Sequence, residues 1–126
     1  MSWDIPLAVA NPGTDVSSSA TGAAGAIAAQ LPAVAGKTNY ITGFEVTGAG
    51  ATLGSVQVVT VTGVVGGPLS YVLPVVAGVL LAITPLVIAF IRPVPASGPG
   101  VAIAVNVPSL GAGNTNAAVT AHGFVV

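Results

Sequence analysis

The side chains able to carry acid–base or metal chemistry are few and widely spaced in this sequence. Histidine occurs once, at His122, and the carboxylates are Asp4, Asp15 and Glu45. A triad can be drawn from the many serines with Asp15 and His122, but no serine lies in the G-x-S-x-G pattern that marks a nucleophile. One histidine and three scattered carboxylates are also a poor supply of metal ligands. We therefore predict that the chain is not an enzyme and that it holds no metal or other cofactor.

The remaining polar candidates fit structural or interface roles better than catalysis. His122 alternates with Phe124 on the last predicted strand, which favours a structural or interface role for the imidazole. Glu45 lies within a predicted strand and Arg92 ends the longest apolar run. These two residues either pair, within or between subunits, or lie apart in solvent. The sequence leaves both arrangements open.

Two further classes of binding site are disfavoured by the composition. The chain has two basic residues, Lys37 and Arg92, and a net charge of −1, whereas phosphate binding needs clustered Lys and Arg. No nucleic-acid partner is therefore expected. Residues Gly111–Asn114 resemble a phosphate-cradling loop, but the lysine of a P-loop and the helix that should follow it are missing. We interpret this segment as a structural turn.

The strongest signal is the imbalance between apolar and charged residues. Hydrophobic residues make up 53% of the chain and charged residues 4%, whereas a soluble domain carries about 25% charged residues. One domain of this length cannot bury so much apolar surface by itself. The surplus must face either lipid or other protein chains.

The segment from Leu69 to Ile91 carries no charge and is long enough to predict a transmembrane helix. Pro74 and Pro85 interrupt it, and each would remove a backbone donor and kink a helix. We therefore predict strands instead: one over Leu69–Val76, a turn at Ala77-Gly78, and one or two more over Val79–Arg92, broken at Thr84-Pro85. A continuous apolar run also predicts strands that are buried on both faces. Because we predict strands here and not a transmembrane helix, we expect no membrane partner.

The other strands are predicted from Val- and Thr-rich segments between glycine and proline turns. In the first of them, the alternation places Tyr40, Thr42, Phe44 and Val46 on one face. The predicted strands are Asn39–Thr47, Ser55–Val64, Val101–Val107 and Ala117–Val126. The predicted loops are Gly48–Gly50, Gly66–Pro68, Pro93–Gly100 and Pro108–Asn116. Seven or eight short strands predict an all-β protein, with an antiparallel β-sandwich or a jelly roll as its architecture.

The first 34 residues differ from the rest of the chain in composition and are predicted to form an N-terminal arm. Residues 35–126 are predicted to form the sandwich domain. Ala, Gly, Ser and Thr dominate this segment, which we interpret as an extended arm or an added edge strand; a disordered tail is the alternative for the first twenty residues. Trp3, Ile5 and Leu7 supply an apolar edge. We expect the arm to attach the protein to a neighbouring surface.

From residue 39 onward, the order of several short motifs resembles that of small capsid decoration (cement) proteins of tailed bacteriophages. The motifs are Tyr40–Phe44, Pro85-Leu86, Phe90–Pro93, Gly98–Ile103, Gly111–Thr115 and Ala121–Phe124, and the opening Met-Ser-Trp is similar as well. The resemblance implies a jelly roll that forms a homotrimer on the outer surface of the virion capsid and binds the major capsid protein. This chain carries fewer charges than that pattern.

Three functions are compared on this basis. The leading hypothesis is a structural virion protein that binds and stabilises an assembled phage head. The second is a small membrane protein, a phage lysis or pore factor, with a transmembrane segment at residues 69–91. The third is a carbohydrate-binding jelly roll on the virion surface. For the leading hypothesis the predicted interface residues are Trp3, Ile5, Leu7, Glu45, Arg92 and His122.

Overall fold

A computed structural model of the chain describes residues 13–78, 80–111 and 113–126. In these ranges the chain forms eight strands and no helix. The strands are β1 (Thr14–Gly22), β2 (Ile27–Leu31), β3 (Asn39–Ala51), β4 (Ser55–Thr62), β5 (Leu69–Val75), β6 (Leu86–Pro95), β7 (Ile103–Val107) and β8 (Gly113–Val125). Trp3, Ile5 and Leu7 lie outside the described residues.

The strands form two four-stranded sheets in which every pairing is antiparallel. Sheet A has the order β1-β8-β3-β6, and sheet B has the order β2-β7-β4-β5. The inner faces of the two sheets pack against each other over one hydrophobic core. The predicted all-β class and the antiparallel β-sandwich are confirmed.

Valine, leucine and isoleucine fill most of the core because alternate strand residues point inward from each sheet. Phe44 of β3 is its largest buried side chain and lies edge-on to Tyr71 of β5, with ring centroids 5.4 Å apart. The Phe90 ring of β6 lies 6.3 Å from the Phe44 ring. These three rings therefore join the two sheets near the β5 and β6 side of the sandwich.

The apolar run from residue 69 divides into strands, as predicted. Its described residues contribute β5 and most of β6, and no helix among the described residues has the length and apolar character needed to cross a membrane. The expectation that both faces are buried was wrong. Both strands lie at sheet edges, and their burial alternates, so that Val72 and Val87 are 61% and 64% exposed.

In the first half of β3, the side chains do not point to the faces that the sequence predicted. A bulge between Ile41 and Gly43 shifts the register against both neighbouring strands. Because a bulge inserts one extra residue, the alternation reverses there: Ile41 and Phe44 are both buried, whereas Tyr40 is half-buried. Tyr40 and Thr42 therefore do not share a face with Phe44, contrary to the prediction.

Some predicted loops belong to strands. Residues 48–50 lie inside β3, where Gly50 has a φ of 86°. Strand β6 continues to Pro95, and β8 begins at Gly113, both within predicted loops. The turn at 66–68 lies between β4 and β5, as predicted. Strand ends were therefore less predictable than the strands themselves.

Residues 13–34, which lie within the predicted arm, contribute edge strands to both sheets. Strand β1 pairs with β8 from Thr14 to Gly22, and β2 pairs with β7 from Ile27 to Leu31. The fully buried Asn39 fixes the connection that follows, because its Nδ2 donates to the carbonyl of Pro32 at 2.9 Å and to that of Val101 at 3.2 Å. This part of the segment is thus an added edge strand in each sheet.

The outer strands of the sheets are β1 and β6 in sheet A and β2 and β5 in sheet B. Strand β5 contains Pro74, and β6 contains Pro93 and Pro95. Prolines are tolerated at sheet edges because an edge strand needs backbone donors on one side only. Arg92 is the only charged residue in these two edge strands.

Candidate interaction surfaces

The outer face of sheet A carries charged side chains and one pair of stacked aromatic rings. His122 of β8 and Glu45 of β3 point outward and form an ion-pair contact, with His122 Nε2 at 2.8 and 3.0 Å from the two carboxylate oxygens. The residue directly opposite His122 is Gly43, which has no side chain, so the imidazole reaches diagonally to Glu45. The two side chains are 47% and 42% exposed.

The bulge in β3 organises the neighbouring part of this face. The hydroxyl of Thr42 donates a hydrogen bond to the carbonyl oxygen of His122 at 3.1 Å, which ties the bulge to β8. Tyr40 and Phe124 are directly opposite each other, and their rings stack with centroids 5.0 Å apart and planes 12° apart. The bulge thus places an aromatic pair beside the His122–Glu45 pair.

A shallow depression of about 360 Å³ lies between β1 and this cluster. We call it the Phe124 depression, and its lining includes Asp15, Ser17, Thr42, His122 and Phe124. The register of β1 against β8 brings these side chains together, because Asp15 is paired with Phe124 and Ser17 with His122. An acidic, a hydroxyl-bearing, an imidazole and an aromatic side chain therefore meet in one place.

This arrangement brings together the residues from which a catalytic triad was drawn, but not in triad geometry. The imidazole of His122 is bound by Glu45, and the Ser17 side chain makes no hydrogen bond to it. Within the described parts of the chain, no group of three or more His, Cys, Asp or Glu side chains is placed to hold a metal ion.

The outer face of sheet B has a different character, because none of its four strands contains a charged residue. Val56 is paired with Pro74 and Val58 with Val72 across β4 and β5. Val56, Val58 and Val72 are 68%, 46% and 61% exposed. We call these four residues the β4–β5 apolar face.

A polar strip adjoins the β4–β5 apolar face in the middle of sheet B. The amide of Asn106 on β7 donates to the hydroxyl of Thr62 at 3.1 Å and lies 3.4 Å from the hydroxyl and carbonyl oxygens of Thr60. The Asn106 amide group is thus bonded within a strip that carries no charge. The outer face of sheet B is therefore suited to a neutral, apolar partner surface.

Further exposed apolar side chains lie at one end of the sandwich. The loop after β5 runs beside the end of β3, where the Gly78 amide donates to the Ala51 carbonyl and the Ile83 amide to the Gly48 carbonyl. Leu80 and Leu81 in this loop are 91% and 56% exposed. This loop therefore adds uncharged, exposed surface next to the end of β3.

The structure brings two of the predicted interface residues together. Glu45 and His122 are in contact, whereas Arg92 lies on edge strand β6 and has no ion-pair partner among the described residues. Trp3, Ile5 and Leu7 cannot be placed, because they precede the described residues. The sequence-based predictions did not include Val56, Val58 and Val72 as surface residues. The sequence does show that β4 and β5 contain no charged residue, and this was the signal available for an apolar surface.

Comparison with known proteins yields no relative. No protein-family model matches the chain, and neither a curated protein nor a solved structure matches it significantly.

Proposed function

We propose that this protein is a structural virion protein, a capsid decoration protein that binds the outer surface of an assembled phage head as a homotrimer. The observation that carries the proposal is the β4–β5 apolar face, which exposes three valines on strands without charge. Exposed apolar patches of this kind mark interaction sites on soluble proteins. The motif resemblance supplies the virion context.

The strand order supports a jelly roll as the finer description of the sandwich. Successive strands lie in different sheets at every step except from β4 to β5, which pair as neighbours in sheet B, and the sheet orders are 1-8-3-6 and 2-7-4-5. Two four-stranded sheets with Greek-key connections are the arrangement of jelly rolls, which occur in viral capsid and lectin domains. One fold serves many functions, so a jelly roll does not by itself assign a role, and the exposed surfaces must supply it.

Association through the β4–β5 apolar face explains the composition. Burying one exposed valine side chain contributes about 1.5–3 kcal/mol relative to leaving it in water. An obligate interface resembles a domain core cut in half, and a trimer would bury the valines that a single sandwich leaves outside. A protein that binds only the assembled shell stabilises that shell by mass action.

The trimer is tested by light scattering on the purified full chain and on two variants, V58D and V72D. A buried, unpaired carboxylate at either position opposes association. S19D is the matched control, since Ser19 is exposed on the outer face of sheet A and the charge change is the same. We expect a trimer for wild type and S19D and a smaller species for V58D and V72D. A wild-type monomer at micromolar concentration would reject the trimer.

Capsid binding needs a separate test. Heads of the phage that encodes this chain, prepared from a strain lacking its gene, are mixed with the purified protein and sedimented. We expect wild-type protein to sediment with the heads and to raise the temperature at which they disrupt. Failure to sediment, with a stable trimer in solution, would reject the decoration role and leave the self-association intact.

A further inference from the structure

We infer that the Phe124 depression is a binding site for a neutral saccharide unit. The inference is independent of the capsid proposal, because the depression lies on the outer face of sheet A and the β4–β5 apolar face lies on sheet B. Four observations carry it: an aromatic wall, a carboxylate, two hydroxyls and an imidazole held in one orientation.

The aromatic wall is the Phe124 ring. Phe124 is paired with Tyr40 of β3 on one side and with Asp15 of β1 on the other. The Tyr40 ring stacks on one face of the Phe124 ring. Phe124 lines the depression together with residues of β1, and Tyr40 does not line it. An aromatic face with a negative quadrupole attracts the polarised C–H groups of a sugar ring. The stack also holds the ring in place before a ligand binds.

The polar groups suit a ligand rich in hydroxyl donors. Asp15 places a carboxylate at the depression, and hydrogen bonds to an ionised acceptor are stronger than those between neutral groups. Thr42 uses its hydroxyl proton on the His122 carbonyl, so its oxygen is left to accept. Ser17 adds a hydroxyl that both donates and accepts.

His122 adds an imidazole held in one orientation. Its Nε2 donates to the Glu45 carboxylate, which leaves Nδ1 for a ligand hydroxyl, as an acceptor in the neutral ring and as a donor in the protonated ring. Glu45 does not line the depression, so it acts by positioning the imidazole. The resulting set of acceptors and one aromatic face is complementary to the hydroxyls and the C–H face of a pyranose.

The charge of the site disfavours anionic ligands, and its volume favours a small ligand. The carboxylates of Asp15 and Glu45 oppose phosphates and other anions, and the described residues contain no metal-ligand cluster. A volume of about 360 Å³ lies at the lower end of the range for small-molecule pockets. A single neutral sugar unit, free or at the end of a glycan, fits these limits.

The test is an NMR titration of the full-length protein with methyl glycosides of glucose, galactose, mannose and N-acetylglucosamine. Amide resonances of residues 15–17 and 122–124 report on the depression, and those of residues 58–60 report on sheet B. We expect at least one glycoside to shift the first group and leave the second unchanged. No shift with any glycoside, or shifts confined to sheet B, would overturn the inference.

Two variants then distinguish a specific binding site from weak, nonspecific contact with the sugar. D15N removes the charge with little change in shape, and F124L removes the ring but keeps an apolar side chain. D15N should weaken binding about tenfold or more, the effect of losing a hydrogen bond to a charged partner. F124L should weaken binding by about two- to tenfold, the effect of losing an aromatic contact. S19A, on the same face but outside the depression, should bind like wild type. If F124L does not fold, D15N decides alone; unchanged binding by D15N would reject the site.

Discussion

His122 Nε2 lies 2.8 Å from Glu45 Oε2, although the two residues are 77 positions apart in the chain. The contact exists because β8 pairs with β3 in the middle of sheet A. Both side chains are more than one-third exposed, with values of 47% and 42%. Solvent therefore screens their attraction, and the contact orients the imidazole more than it stabilises the fold.

The first prediction concerns the energy of this contact. A double-mutant cycle with E45Q and H122Q, measured by urea denaturation, should give a coupling free energy of about 0.2–1 kcal/mol, as for other exposed ion pairs. High salt should reduce the coupling, because screening weakens exposed pairs. A coupling free energy above about 2 kcal/mol that persists at high salt would show that the pair is buried in an assembly.

The second prediction separates the core from the β4–β5 apolar face. F44A should lower the free energy of unfolding by about 3–5 kcal/mol, because it leaves a cavity beside Tyr71 and Phe90. V56A removes side-chain atoms that are 68% exposed and should change the stability of the isolated subunit by less than about 0.5 kcal/mol. Urea denaturation at low protein concentration measures both. Equal losses for F44A and V56A would contradict the assignment of Val56 to the surface.

The third prediction tests the close approach of β8 to β3. A Cβ at Gly123 would overlap the carbonyl oxygen of Tyr40 and lie 2.9 Å from Leu31 Cδ1. G123A should therefore destabilise the protein by about 1–3 kcal/mol or more, since backbone must move in a packed core. G98A is the control, because a Cβ there meets nothing within 4 Å. Thermal unfolding distinguishes the two; a neutral G123A would mean that the strands lie further apart.

The fourth prediction concerns β1. Two truncated proteins are compared, one lacking residues 1–12 and one lacking residues 1–19. The second loses six of the nine residues of β1, Thr14–Ser19, and with them most of the pairing with β8. Its thermal midpoint should lie several degrees below that of the first, because a destabilisation of about 1 kcal/mol shifts the midpoint of a small domain by about 4 °C or more. Equal midpoints would show that β1 contributes little to the sandwich.

The sequence predicts much of the strand content because valine-rich segments alternate with glycine and proline turns. The first residues of β3, β4 and β5 coincide with the predicted strand starts at Asn39, Ser55 and Leu69. Strands and their turns are encoded locally, in backbone preferences and short-range pattern. Agreement was therefore best where neighbouring residues decide the conformation.

The failures have a shared physical origin in strand pairing. The residues around Thr42 keep a regular alternation through the bulge, so nothing local indicates that the facing reverses there. Likewise, the Glu45–His122 contact depends on which strands become neighbours, and pairing between distant segments is set by the packing of the entire sandwich. The exposure of Val72 depends on the edge position of β5, which is also a property of the assembled sheet.

The prolines at the sheet edges bear on how copies of this chain can associate. An exposed edge strand is a template for further strands, and proteins usually block it with lysines or other charges. Here β5 and β6 carry Pro74, Pro93 and Pro95 and a single charge, Arg92. A proline offers no N–H to an incoming strand, so these two edges resist run-on growth into fibrils. The other two outer strands, β1 and β2, contain no proline. Growth by added strands is therefore opposed at one edge of each sheet, and copies of the chain that meet there must do so through side chains.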